Sequence, residues 1–179
     1  MRVIAGIAKG KSLKTLEGND TVRPTTDRVK EALFSAIHFD LPNAHILDMF
    51  AGSGGLGIEA LSRGANSAVF LDCSQNAIAI INQNLKYCGL EEQSRVVCTD
   101  YKVYLSKCTD VFDLVFIDPP YHLNIFNEAI SSVSSLVSDN GIIVCEHPID
   151  ATILDIPSYK RRDYKYGKIA VTIFRKEAE

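Results

Sequence analysis

The sequence predicts a single α/β domain whose core is a parallel β-sheet covered by helices on both faces. Between residues 45 and 145, short apolar segments alternate with helical ones. The segments predicted as strands are apolar on both faces, as buried parallel strands are. A glycine-rich turn connects the first of these strands to a helix. At 179 residues, the chain is long enough for one such domain and too short for two.

The order of the elements follows from apolar spacing and from turn signals. A first helix, with Thr26 or Asp27 as its predicted N-cap, precedes the sheet. The strands are predicted at residues 45–50, 67–71, 95–98, 112–117 and 142–145, and the helices between them at residues 55–63, 76–86, 103–107 and 125–136. A turn at Asn140-Gly141 introduces the last of these strands. Residues 159–166 and 168–175 alternate, which predicts an antiparallel hairpin at one sheet edge.

The two ends of the chain are basic and its middle is acidic. Residues 1–30 and 156–179 each carry a formal charge of +4, whereas residues 31–155 carry −11. Within the first end, residues 1–20 are predicted as a basic β-hairpin extension to a core formed by residues 21–179. The charge pattern favours basic ends that bind a polyanion. Two solvated surface strands would give the same pattern, so that alternative stays open.

Cysteine usage and hydropathy exclude several classes of protein. The five cysteines form no Cys-x-x-Cys pair, which favours free thiols in a reducing compartment over disulfides or a zinc site. No apolar run approaches the roughly 20 residues of a membrane-spanning helix, and the first residues lack the apolar core of a signal peptide. We therefore expect a cytoplasmic protein without a metal or a membrane partner.

The turn after the first strand carries a ligand-binding glycine pattern. Gly52, Gly54 and Gly57 match Gly-x-Gly-x-x-Gly, in which glycine permits a tight turn and close approach of a ligand to the backbone. Asp72 ends the next strand, twenty positions after Gly52, where a carboxylate can accept the hydroxyl groups of a ribose. Taken alone, this pattern fits an NAD-dependent enzyme nearly as well as a methyltransferase.

Asp48 favours the methyltransferase, because its charge would repel the pyrophosphate of a dinucleotide but favour the sulfonium and ammonium groups of S-adenosylmethionine. Its alternative role is to cap the loop. Asp100 can reach an adenine amino group, with Tyr101 beside the ring, or cap the next helix. With Asp72 and Asp118, one carboxylate follows each of four successive strands. Ligands of open α/β sheets bind at this edge.

The segment Asp118-Pro119-Pro120-Tyr121 follows the fourth strand and predicts the catalytic motif. An exocyclic amine of a nucleic-acid base is a weak nucleophile because its lone pair is delocalised into the ring. The Asp118 carboxylate and the Pro119 carbonyl can accept its two N–H groups and aim the lone pair at a sulfonium methyl group. Tyr121 can stack on the base. A strand-ending aspartate before a Pro-Pro surface turn is the alternative interpretation.

The order of these motifs, from Phe50-Ala-Gly-Ser-Gly54 to Asp118, resembles that of class I methyltransferases that act on amino groups. More narrowly, three segments are similar to the RsmD-like family of bacterial rRNA guanine-N2 methyltransferases: Arg2-Val-Ile-Ala-Gly6, Arg23-Pro-Thr-Thr-Asp-Arg-Val-Lys-Glu-Ala-Leu-Phe34 and Tyr166-Gly-Lys-Ile-Ala-Val-Thr-Ile173. The resemblance covers essentially the whole chain. It implies a Rossmann-like sheet of seven strands in the order 3-2-1-4-5-7-6 and S-adenosylmethionine as methyl donor.

The same resemblance implies that the target is guanine 966 of 16S rRNA, in the small ribosomal subunit or its assembly intermediate, and we expect a monomer. The candidate catalytic residues are Asp118, Pro119 and Tyr121. The candidate cofactor contacts are Arg23, Thr25, Asp48, Phe50, Gly52, Ser53, Gly54, Asp72, Cys73, Asp100, Tyr101 and Asp118. The candidate RNA contacts are Arg2, Lys9, Lys11, Lys14, Arg28, Tyr121 and His122. A second basic group, which extends the RNA footprint or protects a sheet edge by charge, comprises Lys160, Arg161, Arg162 and Lys165.

Three other functions stay open at this point. A DNA adenine-N6 or cytosine-N4 methyltransferase could use the same core, although such enzymes usually need additional target-recognition sequence. A protein-glutamine methyltransferase usually has Asn where this chain has Asp118. A non-catalytic RNA-binding assembly factor would retain the fold, but the intact Asp48, Gly52, Asp118 and Tyr121 argue against it.

Overall fold

A seven-stranded sheet in the order β3-β2-β1-β4-β5-β7-β6 forms the centre of the molecule, which confirms the predicted fold class and strand order. The computed structural model describes residues 1–16 and 27–177. The strands are β1 (His45–Asp48), β2 (Ser67–Asp72), β3 (Ser94–Cys98), β4 (Phe112–Ile117), β5 (Val137–Pro148), β6 (Tyr159–Tyr166) and β7 (Ile169–Lys176). The helices are α1 (Asp27–Ala36), α2 (Gly55–Ser62), α3 (Gln75–Cys88), α4 (Tyr101–Leu105) and α5 (Phe126–Val133).

Strands β1 to β5 are parallel, whereas β7 is antiparallel to β5 and β6 is antiparallel to β7. The strand order reverses beside β1, whose two neighbours are β2 and β4. The carboxyl ends of the parallel strands lie at one edge of the sheet, and a ligand crevice forms where the order reverses. The topology therefore places the site next to the ends of β1 and β4.

Two apolar clusters cover the two faces of the sheet. One contains Phe34 of α1 and Ile58 of α2, together with residues of α3. The other contains Phe126 and Ile130 of α5 and Tyr101 of α4. Alternate residues of the central strands point into each cluster, which is why these strands read as continuous apolar runs.

The predicted N-terminal hairpin is present only as a single antiparallel bridge, between Arg2 and Ser12. No longer strand forms in residues 1–16. The bridge is formed by backbone hydrogen bonds from Val3 to the carbonyl of Lys11 (2.9 Å) and from Leu13 to that of Met1 (3.0 Å), and the residues between the two arms form turns. The Glu59 carboxylate accepts hydrogen bonds from the backbone N–H groups of Ile4 (2.8 Å) and Ala5 (3.0 Å). This segment is therefore fixed to the body of the protein rather than extended from it.

A buried ionic cluster holds the N-terminal segment in place. Lys30 and Glu59, only 2% and 0% exposed, form an ion pair of 3.0 Å, and Arg63 binds the other oxygen of Glu59 at 2.7 Å. The ammonium group of Lys30 also donates to the backbone carbonyl of Arg2. Removing one partner of such a cluster would leave a buried charge without compensation. The cluster therefore joins the N-terminal segment, α1 and α2 into one unit.

The largest local difference from the prediction lies in β5. This strand begins at Val137, five residues before the predicted start, and the expected turn at Asn140 is an irregularity within the strand. Asn140 has φ +63°, and the pairing with β4 shifts register between Phe112 and Leu114. The strand also continues to Pro148 because its far end pairs with β7.

Three smaller boundaries also differ from the prediction. The first strand ends at Asp48, two residues before its predicted end, and α4 begins at Tyr101 rather than at 103. The last predicted helix divides into α5 and a 3₁₀ turn over Ser134–Leu136. Asp27 is the first residue of α1, and Thr26 lies outside the described residues.

All five cysteines are free thiols, as predicted. Cys88 and Cys145 are buried, whereas Cys73 and Cys98 are exposed. Within residues 1–16 and 27–177, no helix is both long and apolar enough to cross a membrane, and no cluster of three metal-ligating side chains occurs.

Candidate active site

Asp48 ends β1, the strand beside which the sheet order reverses, and is only 2% exposed. Its Oδ2 accepts a hydrogen bond of 3.0 Å from the backbone N–H of Gly57, so its predicted alternative role as a cap for the loop is confirmed. Burial raises the pKa of Asp48 to about 7, against the opposing effect of the Gly57 bond, and the charges of Asp118 and Asp72 raise it further. A cationic ligand beside this carboxyl would favour its ionised form.

Gly52 and Gly57 have different structural roles in the glycine loop. Gly52 has φ +56°, and a Cβ added there would meet nothing within 4 Å, so this part of the backbone faces open space. A Cβ on Gly57 would lie 2.3 Å from the ring of Phe70, which means that only glycine permits α2 to pack on β2 here. The first glycine therefore leaves room for a ligand, and the third serves close packing, as the predicted pattern requires.

Asp72 connects the end of β2 to the glycine loop. Its Oδ2 accepts from the backbone N–H of Gly52 at 2.9 Å, and its Oδ1 accepts from that of Ser74 at 2.8 Å. Each carboxylate oxygen has a further lone pair, which can accept a ribose hydroxyl group. The half-buried side chain is thus oriented by the protein before any ligand binds.

Asp100 caps α4, as one of its two predicted roles requires: its Oδ1 accepts from the backbone N–H of Lys102 at 2.8 Å. The ring of Tyr101 is buried in the core and lies 5.1 Å from that of the half-buried Phe50, centroid to centroid. Its hydroxyl oxygen is buried without a hydrogen-bond partner among the described residues. Contacts of Asp100, Tyr101 and the exposed Cys73 with a cofactor stay predictions.

The chemistry of this crevice fits S-adenosylmethionine. The residues at its wall supply carboxylates and bare glycine backbone, which suit a ligand with cationic groups and ribose hydroxyls. Asp48 and Asp72 would hold these groups, and the open space at Gly52 gives the ligand access to the loop. Arg23 and Thr25, the other predicted cofactor contacts, lie outside the described residues.

The segment predicted as the catalytic motif directly follows β4, at the carboxyl end of the parallel strands. Asp118 and Tyr121 are half-buried and Pro119 is buried. Tyr121 begins a 3₁₀ turn, and its ring lies 6.1 Å from that of Phe126 on α5, centroid to centroid. The motif is therefore part of the packed structure at the sheet edge, not a loose surface turn.

Sequence reasoning missed Glu146, which lies beside this motif. The Tyr121 hydroxyl donates a hydrogen bond of 3.2 Å to its Oε1, and the side chain of Glu146 is only 3% exposed. Ile117 of β4 pairs with Cys145 of β5, so the next residues, Asp118 and Glu146, follow on neighbouring strands. Burial raises the pKa of the Cys145 thiol, and the charges of Asp118 and Glu146 add to the effect. The sequence signal for Glu146 was an acidic residue directly after the apolar residues of β5.

Asn84 is a second residue that the sequence did not single out. It is 2% exposed and lies on α3. Its amide donates to the backbone carbonyl of Ser53 at 2.9 Å and to that of Lys14 at 3.0 Å, and it accepts from the N–H of Lys14 at 2.8 Å. One side chain thus connects the glycine loop to the N-terminal segment. An asparagine within a helix gives no local sign of such long-range contacts.

The predicted basic contacts of the N-terminal segment lie along α3. The Lys11 ammonium donates to the Tyr87 carbonyl at 2.7 Å, and the Lys14 ammonium donates to Gln83 at 2.8 Å. The side chain of Lys9 is exposed. This surface is thus partly ordered by the protein itself. Its binding to RNA stays a prediction.

The remaining basic candidates are mostly on the surface. Arg2 pairs with Asp27 at 2.8 Å, while Arg28 and His122 are exposed. On the edge strand β6, Lys160 pairs with Glu177, and Arg161 pairs with acidic neighbours. The pairs of Lys160 and Arg161 are what a charged, protected edge requires, and RNA binding by this second basic group stays a prediction.

Comparison with known proteins identifies the family. The model of the family described as Conserved hypothetical protein 95 matches residues 1–175. YlbH of Bacillus subtilis (strain 168), a putative rRNA methyltransferase, is 37% identical, over 98% of this chain and 99% of its own length. Ribosomal RNA small subunit methyltransferase D of Haemophilus influenzae is 35% identical, over 86% of this chain and 82% of its own. The solved structure of a hypothetical protein from Thermus thermophilus has a TM-score of 0.81 and 32% identity, and the match covers 99% of both chains. The chain therefore belongs to the family described as Conserved hypothetical protein 95, the RsmD family of methyltransferases.

Proposed function

We propose that this protein transfers a methyl group from S-adenosylmethionine to the exocyclic N2 of a guanine in 16S rRNA, at position 966, within the small ribosomal subunit or its assembly intermediate. The observation that carries the proposal is the position of Asp118-Pro119-Pro120-Tyr121 at the end of β4, beside the glycine loop of β1. A motif that binds an amine is thereby adjacent to a crevice that suits a cationic methyl donor.

In the proposed mechanism, Asp118 and the carbonyl of Pro119 accept the two N–H groups of the target amine. This arrangement favours a more tetrahedral nitrogen whose lone pair points to the methyl group. The ring of Tyr121 stacks on the base and fixes its plane. S-adenosylmethionine, when bound, supplies a methyl group activated by the positive charge of its sulfonium. The nitrogen then releases one proton, to Asp118 or to water.

Alignment supplies much of the rate in this mechanism, because the leaving group needs no activation by the protein. The side chains that would align the reactants are held before binding. Asp72 is fixed by two backbone N–H groups, and Tyr121 is held through its hydroxyl group.

The choice of ribosomal RNA rests on the family and on the basic N-terminal segment, not on the catalytic motif. The Haemophilus influenzae relative is named a small-subunit rRNA methyltransferase, and the match covers most of both chains. Phosphate contacts by lysines position an RNA without reading its sequence. In this proposal, the shape of the small-subunit particle selects the target, because the phosphate contacts of the basic segment do not read the sequence.

The proposal is tested by transfer of tritium from labelled S-adenosylmethionine. Four acceptors are compared: 30S particles that lack the modification, free 16S rRNA, duplex DNA and total protein. We expect label in the 16S rRNA of the particles or in the free RNA, and none in DNA or protein. Label in DNA alone would support a DNA amino-methyltransferase. Binding of the cofactor without transfer to any acceptor would support an assembly factor and refute the proposal.

A further inference from the structure

We propose that Glu146 is a positioning residue for methyl transfer, which acts by fixing the ring of Tyr121 against which the target base stacks. The inference rests on the proposed function, since it assigns a role within the same site. It concerns a buried carboxylate on β5 that lies outside the Asp-Pro-Pro-Tyr motif.

The first observation is the hydrogen bond of 3.2 Å from the Tyr121 hydroxyl to Glu146 Oε1. A phenol has one proton, and its donation to a carboxylate is directional and stronger than a bond between neutral groups. The ring is also in contact with Phe126, at 6.1 Å between centroids. Two separate contacts, one at the hydroxyl and one at the ring, therefore define the orientation of Tyr121.

The second observation is that the Glu146 carboxylate is buried beside the end of β4. Glu146 is 3% exposed, and burying a carboxylate is costly unless it is hydrogen-bonded. Its neighbours in β5 from Ile142 to Cys145 are apolar and fully or almost fully buried. The acidic side chain occurs one residue later, where β5 passes the end of β4 and the catalytic motif.

The orientation of the Tyr121 ring determines how the target base is placed for the reaction. A base that stacks on Tyr121 takes its plane from that ring, and the plane decides where the amine lies relative to Asp118 and Pro119. A displacement of about 1 Å at a reacting centre can cost on the order of a hundredfold in rate. A side chain that limits rotation of Tyr121 would thus act on the chemical step more than on affinity for the cofactor.

A double-mutant cycle separates this role from a purely structural one. The variants are Tyr121→Phe, Glu146→Leu, their combination, and Glu146→Gln, which retains an acceptor oxygen. Each is assayed for kcat and KM on 30S particles with saturating cofactor. Thermal unfolding and the Kd for S-adenosylmethionine check the fold. Glu91→Gln, on an exposed 3₁₀ turn, is the control that should leave every value unchanged.

We expect Tyr121→Phe and Glu146→Leu each to lower kcat by about tenfold, the cost of losing a hydrogen bond to a charged group. The Kd for the cofactor should stay within about twofold, and Glu146→Gln should recover most of the activity. The combination should be no slower than the slower single variant. An undiminished effect of Glu146→Leu in the Tyr121→Phe background would overturn the proposal.

Unchanged kcat in Tyr121→Phe would also overturn it, even if Glu146→Leu failed to fold, because that variant removes the hydroxyl without altering β5. These outcomes differ from a failure of the proposed function. If the unmodified protein transfers no methyl group to RNA, both proposals fall. If the unmodified protein transfers methyl groups to RNA but the effects of the Tyr121 and Glu146 substitutions are independent, only the role proposed for Glu146 is refuted.

Discussion

The amide of Asn84 donates a hydrogen bond of 2.9 Å to the backbone carbonyl of Ser53, within the loop that follows β1. The same side chain binds both backbone groups of Lys14, so the glycine loop and the N-terminal segment share one anchor. Because this anchor is buried, its three bonds are shielded from water and stabilise both segments at once.

Asn84→Ala is therefore expected to weaken binding of S-adenosylmethionine by about fivefold to tenfold and to destabilise the protein by about 1–3 kcal/mol, since it leaves buried backbone groups without partners. Isothermal titration calorimetry and thermal unfolding measure the two effects. Asn82→Ala, at an exposed position of the same helix, is the matched control. Cofactor affinity equal to that of the control would show that the loop does not depend on this anchor.

Binding of the cofactor should depend on pH through Asp48. Its pKa is raised from 3.8 to about 7, so the group is largely protonated below that pH and must lose its proton beside a cationic ligand. Affinity for S-adenosylmethionine should therefore increase as the pH rises through about 7 and level off above it. Asp48→Asn should lower the affinity at high pH and remove this dependence. Titrations between about pH 6 and 8.5 provide the measurement, and an equal slope in both proteins would contradict it.

Asp48 should also make the stability of the protein depend on pH. Stability should decrease as the pH rises, whereas cofactor affinity should increase. Between the unfolded pKa of 3.8 and the folded value of about 7, the folded protein holds a proton that the unfolded chain has released. The contribution of Asp48 to the free energy of unfolding therefore decreases as the pH rises through this window, and it stays constant above it. Urea unfolding without cofactor should show a smaller decrease over that range in Asp48→Asn than in the unmodified protein.

Asp118→Ala should abolish methyl transfer, with a loss of at least about a thousandfold, while the Kd for the cofactor changes by no more than a few-fold. The reason is that Asp118, in the proposed mechanism, binds the target amine and not the cofactor. Single-turnover transfer and equilibrium binding give the two quantities. Substantial activity in this variant would refute the proposed mechanism.

Neutralising Lys9, Lys11 and Lys14 together should weaken RNA binding and reduce its dependence on salt, by up to about three phosphate contacts. Because Lys11 and Lys14 also donate hydrogen bonds to residues of α3, glutamine is the preferred substitution, since it removes the charge and keeps a donor. The slope of binding against salt concentration is measured with 16S rRNA. Lys107→Gln, at an exposed position just after α4, is the control, and an unchanged slope in the triple variant would exclude this segment as the footprint.

Local patterns were sufficient to predict most of the sheet and to place the candidate site residues at one edge of it. The apolar strands, the glycine turn and the Asp-Pro-Pro-Tyr motif are contiguous in sequence, and the rule that parallel strands end at one edge brings them together. The strand order itself came from the family resemblance. Asn84 was missed because it binds a residue 31 positions away, which no local pattern records. Glu146 left one local signal, an acidic residue after an apolar run, but its partner Tyr121 lies 25 positions away.

The N-terminal segment also depends on long-range contacts that local patterns do not predict. Its alternation around Gly6 and Gly10 predicted a hairpin, which is present as a short antiparallel pairing between Arg2 and Ser12. The contacts that attach this hairpin to α2 through Glu59 have no local signal in the sequence. The start of β5 was missed for a related reason. A positive φ at Asn140 is typical of a turn, and only the pairing with β4 shows that the strand continues through it.

We propose that the protein methylates N2 of a guanine in small-subunit rRNA. The most direct test of this proposal is mass spectrometry of nucleosides from 30S particles that lack the modification, after incubation with the protein and S-adenosylmethionine carrying a deuterated methyl group. We expect deuterated N2-methylguanosine in 16S rRNA, and none when Asp118→Ala replaces the unmodified protein. A deuterated methyl group on adenosine, on cytidine or on another position of guanosine would contradict it.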